Sequence, residues 1–249
     1  MNILVCISNV PDTTTRIKYA AVNKEVDYTG VQWIINPWDE LALTRALELK
    51  EANPSQVQKI TVITVGKADA EPTLRKALAC GADDAIRVDA VAADAFFTAT
   101  QLAEAVKNEA FDLILCGIES SDYNGSAVGG MLAELLDRPS VSAVSSLNLE
   151  NGTVKITREI DGGKQLMETE TPAVLIVQKG IAIDPRIPSM RGIMTARTKQ
   201  LKVVTAADAS ALSQVLVYEA PLQKGKCRMI DPENLDELAH LLHTEARVI

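Results

Sequence analysis

Residues 111–130 read FDLILCGIESSDYNGSAVGG, and this stretch contains the unit from which the fold is inferred. An apolar run from Phe111 to Cys116 ends at Gly117, and a polar loop then leads into a helix predicted over about 128–136. A short, continuous apolar run is typical of a strand that is buried on both faces of a sheet. The stretch therefore predicts a strand, a polar loop and a helix in succession.

The same unit recurs towards the N-terminus. The apolar runs Ile3–Ile7 and Ile60–Val65 also end in a polar or glycine-containing loop. Predicted helices follow them, one after Pro37 and one over Ala70–Cys80. A further predicted strand, Ala85–Val88, precedes a third helix over 92–108. Such alternation predicts an α/β fold with a parallel sheet and right-handed crossovers.

The pattern changes after Pro139. Residues 154–171 alternate polar and apolar side chains around Asp161-Gly162-Gly163, which predicts an antiparallel hairpin. Ala173–Val177 is one more buried strand, and no core strand of that kind is predicted from Asp184 onward. We therefore expect an α/β domain over 1–183, hairpin included, and a tail over 184–249 that lacks a core of its own. The tail either lies on another polypeptide or folds back on its own domain.

Composition narrows the class of function. The net charge of −8 argues against nonspecific binding to nucleic acid and is compatible with a basic protein partner. No apolar run approaches the roughly 20 residues that span a bilayer, so we expect no membrane-embedded segment. The four cysteines form no CxxC pair, which suits a reducing compartment and predicts a cytoplasmic protein. Only two histidines occur, both near the C-terminus, and this disfavours a metal site.

Catalytic motifs are missing from the sequence. It contains neither a G-x-S-x-G elbow nor a Walker A motif, and its first 239 residues include no histidine. Histidine is the commonest general base. The sequence therefore favours a binding protein, without catalytic residues of its own, over an enzyme.

Three loops should meet at one edge of the predicted sheet, since ligands bind at the carboxyl ends of parallel strands. They are Cys6–Pro11, Val65-Gly66 and Gly117–Val128. The last of these is rich in hydroxyls, amides and glycine, and the helix after it could point its amino end at a phosphate. Asn36–Asp39 could line the adenine side. The alternative is an ordinary polar loop with N-cap residues.

Taken together, several segments resemble the beta subunit of electron transfer flavoproteins over nearly the whole chain. The segments are Val10–Thr13, Asn36–Glu40, Glu48–Glu51, Lys76–Asp83, Arg158–Gly163 and Pro185–Met194. Their order and spacing make the set specific.

The resemblance implies an adenine-nucleotide-hydrolase-like (Rossmann-like) domain and a C-terminal arm that wraps round an alpha subunit. That alpha subunit would hold most of the FAD, while the beta subunit binds AMP, or a second FAD in electron-bifurcating members. The nucleotide-site residues implied by position are Cys6, Asn36, Pro37, Trp38, Asp39, Val65, Gly66, Gly117, Ser121, Asp122, Asn124, Gly125, Ser126, Ala127 and Val128.

The resemblance also implies a recognition loop that docks acyl-CoA dehydrogenases, with Met190 as its apolar anchor. This predicted docking segment comprises Arg186, Ile187, Pro188, Ser189, Met190, Arg191, Gly192, Ile193 and Met194. A flexible thioether suits several partners, whereas the alternative is that Met190 only packs the loop down.

The chain departs from the family at three places. It carries Glu119–Asp122 where many members have Gln-Ala-Ile-Asp, Ala127 replaces a common Gln, and Thr13 replaces a Tyr that approaches the flavin in some members. AMP against a second FAD is therefore open, with AMP preferred. The other hypotheses are a stand-alone homodimer like the universal stress proteins, and an enzyme that adenylates or hydrolyses a substrate.

Overall fold

The computed structural model describes residues 1–19, 26–150, 153–219, 222, 225 and 227–249. Residues 1–18 and 27–216 form one compact unit. The described parts of 19–26 and 217–249 belong to a second, smaller unit. Among the described residues, no helix combines the length and the apolar character needed to cross a membrane.

The strands are β1 (Asn2–Cys6), β2 (Asn9–Pro11), β3 (Lys18–Tyr19), β4 (Val26–Asp27), β5 (Trp33–Ile35), β6 (Lys59–Val65), β7 (Asp84–Asp89), β8 (Leu113–Gly117), β9 (Ser140–Glu150), β10 (Thr153–Ile160), β11 (Gly163–Thr169), β12 (Ala173–Val177) and β13 (Leu201–Thr205). The helices are α1 (Pro37–Ala52), α2 (Glu71–Cys80), α3 (Ala95–Val106), α4 (Val128–Leu135), α5 (Met190–Ala196) and α6 (Leu235–Leu241). A 3₁₀ turn, Ala68–Ala70, precedes α2, and a π-helical turn, Leu242–Ala246, follows α6.

Nine strands form one sheet in the order β11-β10-β9-β12-β8-β1-β6-β7-β13. The pairs from β9 to β13 are parallel, and β10 and β11 add an antiparallel edge. Two further sheets have two strands each, β2-β5 and β3-β4. The predicted α/β class with a parallel, Rossmann-like sheet is confirmed.

Side-chain alternation along β1 shows why helices cover both faces of the sheet. Ile3 and Val5 pack in one apolar cluster with α1 and α2, whereas Leu4 and Cys6 pack in the other with α3 and α4. Successive side chains on a strand point to opposite faces, so a continuous apolar strand needs a helical layer on each side. The sheet is thus the middle of three layers.

Two strands of the nine-stranded sheet were not predicted from the sequence, and Asn9–Pro11, predicted as part of a loop, forms β2. The eleven-residue β9 runs parallel to β12 and antiparallel to β10, yet its Ser- and Asn-rich sequence hides the apolar face. The second, β13, pairs with β7 at the edge of the sheet, where Leu201 and Val204 are only half-buried. The expectation of no further buried core strand after Asp184 is compatible with β13, because no residue of this edge strand is buried.

Residues 184–216 are part of the first unit. In addition to β13 on β7, Gln101 of α3 exchanges two hydrogen bonds with the main chain of Ala207, at 2.9 and 2.8 Å. The described residues from Val217 onward fall in the second unit, with α6 as its helix. That the tail wraps round a partner subunit stays a prediction.

Candidate functional site

Three neighbouring strands, β8, β1 and β6, end side by side, so the loops that follow them share one edge of the sheet. The Ile7 amide donates to the carbonyl of Ile63 at 2.8 Å, and the Thr64 hydroxyl donates to the carbonyl of Ile7 at 2.6 Å. These bonds join the ends of β1 and β6. The edge is therefore the one predicted for a ligand.

Asp39, in the first turn of α1, connects the ends of β1 and β8. Its two carboxylate oxygens accept hydrogen bonds from the Ser8 amide at 2.8 Å and the Gly117 amide at 2.9 Å. The residue is only 3% exposed. Burial raises the pKa of Asp39 to about 6, although hydrogen bonds with Ser8, Asn36 and Gly117 oppose the rise.

Asn36, just before α1, holds the loop after β8 in the same way. Its side-chain amide donates to the carbonyl of Glu119 at 2.8 Å and accepts from the Ser121 amide at 3.1 Å. Its own main-chain amide donates to the carbonyl of Ser8 at 3.0 Å. Both side chains were predicted to line an adenine pocket, but their polar atoms are bonded to the loops. Asn36 and Asp39, here called the α1 pair, therefore hold the loops of the candidate site in position.

Gly117 is required where β8 passes the first turn of α1. A Cβ atom there would overlap the Asp39 carboxylate and would lie 2.7 Å from the Cβ of Trp38. Only glycine lets the strand end approach this closely. Trp38 itself is half-buried, so part of its side chain is accessible beside the site.

The middle of the loop from Ile118 to Ala127 is exposed. Asn124 and Ser126 have left-handed φ angles of 50° and 48°, and the Asn124 amide donates to the carbonyl of Ser120 at 2.8 Å. Residues Asp122 to Ser126 are exposed, whereas Ser121 is half-buried. The Ser126 hydroxyl donates to the Glu119 carboxylate at 3.3 Å, so this loop contains acidic as well as neutral polar groups.

The amino end of α4 carries no side-chain cap, and Ala127 is its N-cap residue. The first N–H groups of a helix have no partner within the helix, and with the helix dipole they attract anions. Gly129 is packed against Ile176, but no heavy atom lies within 4 Å of a Cβ built on Gly130. The arrangement therefore fits a phosphate that approaches on the Gly130 side.

The Cys6 side chain faces the interior, and the place of Cys6 in the nucleotide site stays a prediction. A hydrogen bond with the Cys116 side chain, followed by burial, raises the pKa of the Cys6 thiol well above its ordinary value. Cys116 lies at the end of β8, beside Cys6 on β1. The Cys6 thiol is thus protonated and packed against its neighbour, so only the main chain of Cys6 is left for a ligand.

Gly66 also has its main-chain groups bonded within the protein. Its amide donates to the carbonyl of Val88 at 3.0 Å, and its carbonyl accepts from the Arg87 guanidinium at 3.0 Å. Arg87 is buried and pairs with Asp89 at 2.6 Å and Glu71 at 3.1 Å. Sequence reasoning missed Arg87, because a charged residue in a strand carries no signal of its own until its partners are known. Val65 and Gly66 can therefore contribute a surface to the site but few hydrogen bonds.

The predicted docking segment, residues 186–194, lies on α2. Ser189 caps α5 by accepting from the Gly192 amide at 3.0 Å, and a Cβ at Gly192 would overlap the carbonyl of Ala79. Arg186 is bonded through its main-chain amide to the Thr44 hydroxyl at 2.8 Å and through its guanidinium to both Glu51 oxygens at 2.9 and 2.8 Å. The side of the segment that faces α1 and α2 is therefore fixed.

Two basic side chains join the ends of α2 and α5. Arg75 of α2 donates to the carbonyls of Ala196 and Lys199, at 2.7 and 2.8 Å. Lys199 in turn donates to the carbonyls of Leu78 and Ala82 at the end of α2, at 3.0 and 2.5 Å. Each cation satisfies carbonyls that a helix end leaves free. Neither residue was predicted from the sequence.

The outer side of the docking segment is apolar and exposed. Ile187 is 84% exposed, Met190 77% and Met194 71%. Met190 and Met194 are one helical turn apart on α5, so they lie on the same face. The alternative, that Met190 only packs the loop down, does not fit this exposure.

Comparisons with known proteins identify the family. A family model described as Electron transfer flavoprotein domain matches residues 25–209. The electron transfer flavoprotein subunit beta of Syntrophomonas wolfei is 38% identical over 96% of this chain and 92% of its own. The protein of the same name from Bacillus subtilis is 33% identical over the full length of this chain and of its own. That from Sus scrofa is 32% identical over 93% of this chain and 94% of its own. This chain belongs to the electron transfer flavoprotein family, among its beta subunits.

Proposed function

We propose that this chain is the beta subunit of a heterodimeric electron carrier that accepts electrons from acyl-CoA and related dehydrogenases and delivers them to a quinone-linked acceptor. The electron-carrying chemistry is supplied by an FAD held mainly by the alpha subunit. The beta subunit binds AMP, encloses the flavin and docks the donor. It has no catalytic residues of its own. Its four unpaired thiols suit a reducing compartment, so we place it in the cytoplasm.

The uncapped amino end of α4 is the observation that supports the nucleotide most directly. It opens beside the loop that the α1 pair holds in place. The exposed loop residues that could reach a phosphate or ribose are Asp122, Asn124, Gly125 and Ser126. A bound AMP would stabilise the folded state by mass action and take no part in a reaction.

The second unit supports a protein partner. Leu222, Met229 and Leu235 are strongly exposed, and none of the described residues of α6 is buried. Large exposed apolar side chains in one segment mark an interaction surface. We infer that this segment lies on the alpha subunit in the assembled protein.

A charge placed at the amino end of α4 tests the nucleotide site. Gly130→Asp adds a carboxylate in open space at an exposed position in the first turn of α4, where an acidic residue is also favourable for the helix. Gly163→Asp makes the same change in open space in the exposed hairpin and serves as the matched control. Both variants are produced with the alpha subunit, denatured, and analysed for released nucleotide by mass spectrometry.

We expect the heterodimer with Gly163→Asp to release about one AMP per beta chain. In Gly130→Asp the Kd for AMP should rise at least roughly tenfold, since one repelled charge contributes about 1.4 kcal/mol or more, so this heterodimer should release less AMP after the same dialysis. Release of more than one FAD per heterodimer would mean that the beta subunit binds a second FAD instead of AMP. A colourless homodimer that binds ATP would support the universal-stress-like alternative. Equal AMP content in both variants would place the nucleotide elsewhere.

Docking is tested by Met190→Ala in the assembled protein. We expect the KM for an acyl-CoA dehydrogenase to rise at least roughly tenfold while flavin content stays the same, because a buried anchor is worth about 2 kcal/mol. Leu166→Ala removes a similarly exposed apolar side chain from the hairpin, outside both proposed sites, and is the control. An unchanged KM for Met190→Ala would show that Met190 is not the anchor.

A further inference from the structure

The two most exposed thioethers of the first unit stand together on α5. Met190 is 77% exposed and Met194 is 71% exposed, and they are separated by one helical turn. Met229, at 85%, is comparably exposed but belongs to the second unit. By contrast, Met1 and Met167 are partly buried against the core.

The position of this pair exposes both sulfur atoms to small oxidants. The backbone of α5 is held by the Ser189 cap, by Arg75 and by the close approach of Gly192 to Ala79, so the methionines cannot turn inward by a shift of the helix. Ala196, the one buried residue of α5, marks the side that faces the protein. Oxidation of methionine follows exposure, and it turns a flexible apolar side chain into a polar one.

We propose that Met190 and Met194 form a reversible oxidation site that switches off docking of the electron donor. The oxidant is hydrogen peroxide. A sulfur lone pair attacks one peroxide oxygen, the O–O bond breaks, and an S–O bond forms. The second oxygen leaves as water with both protons, so sulfur loses two electrons and peroxide gains them. Methionine sulfoxide reductases reverse the change with electrons from a thiol.

The inference rests on the proposed docking function. Oxidation of a thioether to a sulfoxide weakens binding only where that side chain makes a buried apolar contact with the partner. In the docked state both side chains would leave water, and a sulfoxide oxygen would have to be desolvated with them. The nucleotide site proposed above involves other residues of the chain. Oxidation should therefore weaken affinity and leave flavin and AMP content unchanged.

The experiment uses the complete heterodimer and a purified acyl-CoA dehydrogenase. The heterodimer is treated with hydrogen peroxide until peptide mass spectrometry shows one added oxygen on both Met190 and Met194, and Kd is measured by calorimetry. We expect Kd to rise roughly tenfold or more and to recover after treatment with methionine sulfoxide reductase. Met190→Leu/Met194→Leu cannot form sulfoxides there and should keep the Kd of its own untreated form. Met167→Leu, a change at a thioether outside α5, should lose affinity on treatment as the unsubstituted protein does.

An untreated Met190→Ala/Met194→Ala heterodimer separates the two ideas. If it binds more weakly but full oxidation of the unsubstituted protein leaves Kd unchanged, docking stands and the oxidation site is refuted. If it binds as tightly as the unsubstituted protein, both are refuted. An equal loss of affinity after peroxide in the double leucine variant would also overturn the proposal, since other residues would then be responsible.

Discussion

Replacing Gly117 by alanine should destabilise the chain by about 4 kcal/mol. The new methyl group would overlap the Asp39 carboxylate and lie 2.7 Å from the Cβ of Trp38, so the strand end and α1 must separate. Overpacking of this kind costs about 1–3 kcal/mol. Displacing Asp39 also weakens its hydrogen bonds from Ser8 and Gly117, each worth about 1.5–3 kcal/mol when the acceptor is charged.

The assay is urea unfolding of the full chain, followed by circular dichroism, in a double-mutant cycle with Asp39→Ala. Removing the carboxylate removes part of the overlap, so Gly117→Ala should cost about 1–3 kcal/mol less in that background. Gly130→Ala, at an exposed position of α4 with open space around it, is the control and should stabilise by up to about 1 kcal/mol. A Gly117→Ala variant within about 0.5 kcal/mol of the parent, or equal costs in both backgrounds, would refute the reasoning.

Three further predictions concern neighbouring parts of the fold. Because burial raises the pKa of Asp39 from 3.8 to about 6, the folded chain takes up this proton first, so the contribution of Asp39 to stability should rise by about 2–3 kcal/mol as pH falls from about 7 to 4, while carboxylates with lowered pKa values, such as Asp94, contribute in the opposite direction. Asp39→Asn should remove that rise, and equal slopes in urea titrations of both proteins would contradict it. Arg75→Met should speed amide hydrogen exchange over residues 190–199, since the carbonyls at the end of α5 lose their donor; unchanged exchange would argue against the capping role. Asp94→Ala should weaken α3 by about 1 kcal/mol through loss of its N-cap, and should expose Leu212 and Ser213, whose amides it binds at 2.7 and 2.8 Å, to limited proteolysis. Cleavage there at the parent rate would show that Asp94 does not hold the segment.

The central strands could be predicted from the sequence because each is apolar on both faces. Ala173–Val177, for example, is buried throughout and coincides with β12. In contrast, β9 and β13 could not be predicted, since half-exposed strands obtain their stability from pairing with strands that are distant in the sequence. Register between remote strands is not encoded by any local pattern.

The candidate site was predictable as a place but not as a set of contacts. Strand ends and the glycine at 117 locate the edge, because loops after parallel strands meet there. Two sets of contacts depend on how α1 crosses the ends of β1 and β8. Asn36 and Asp39 bind the loops, and Cys6 is directed towards Cys116. The reciprocal hydrogen bonds of Arg75 and Lys199 likewise form only when α2 and α5 are packed together.

The α1 pair has a consequence for how tightly a ligand can be held. Two residues near the start of one helix tie down main-chain amides from the segments after two different strands, so neither segment is able to shift by itself. A ligand that enters finds its contact groups already in position and spends little free energy on ordering them. For the nucleotide proposed above, a backbone fixed in this way would favour slow release over rapid exchange, so that it stays with its protein through many turnovers.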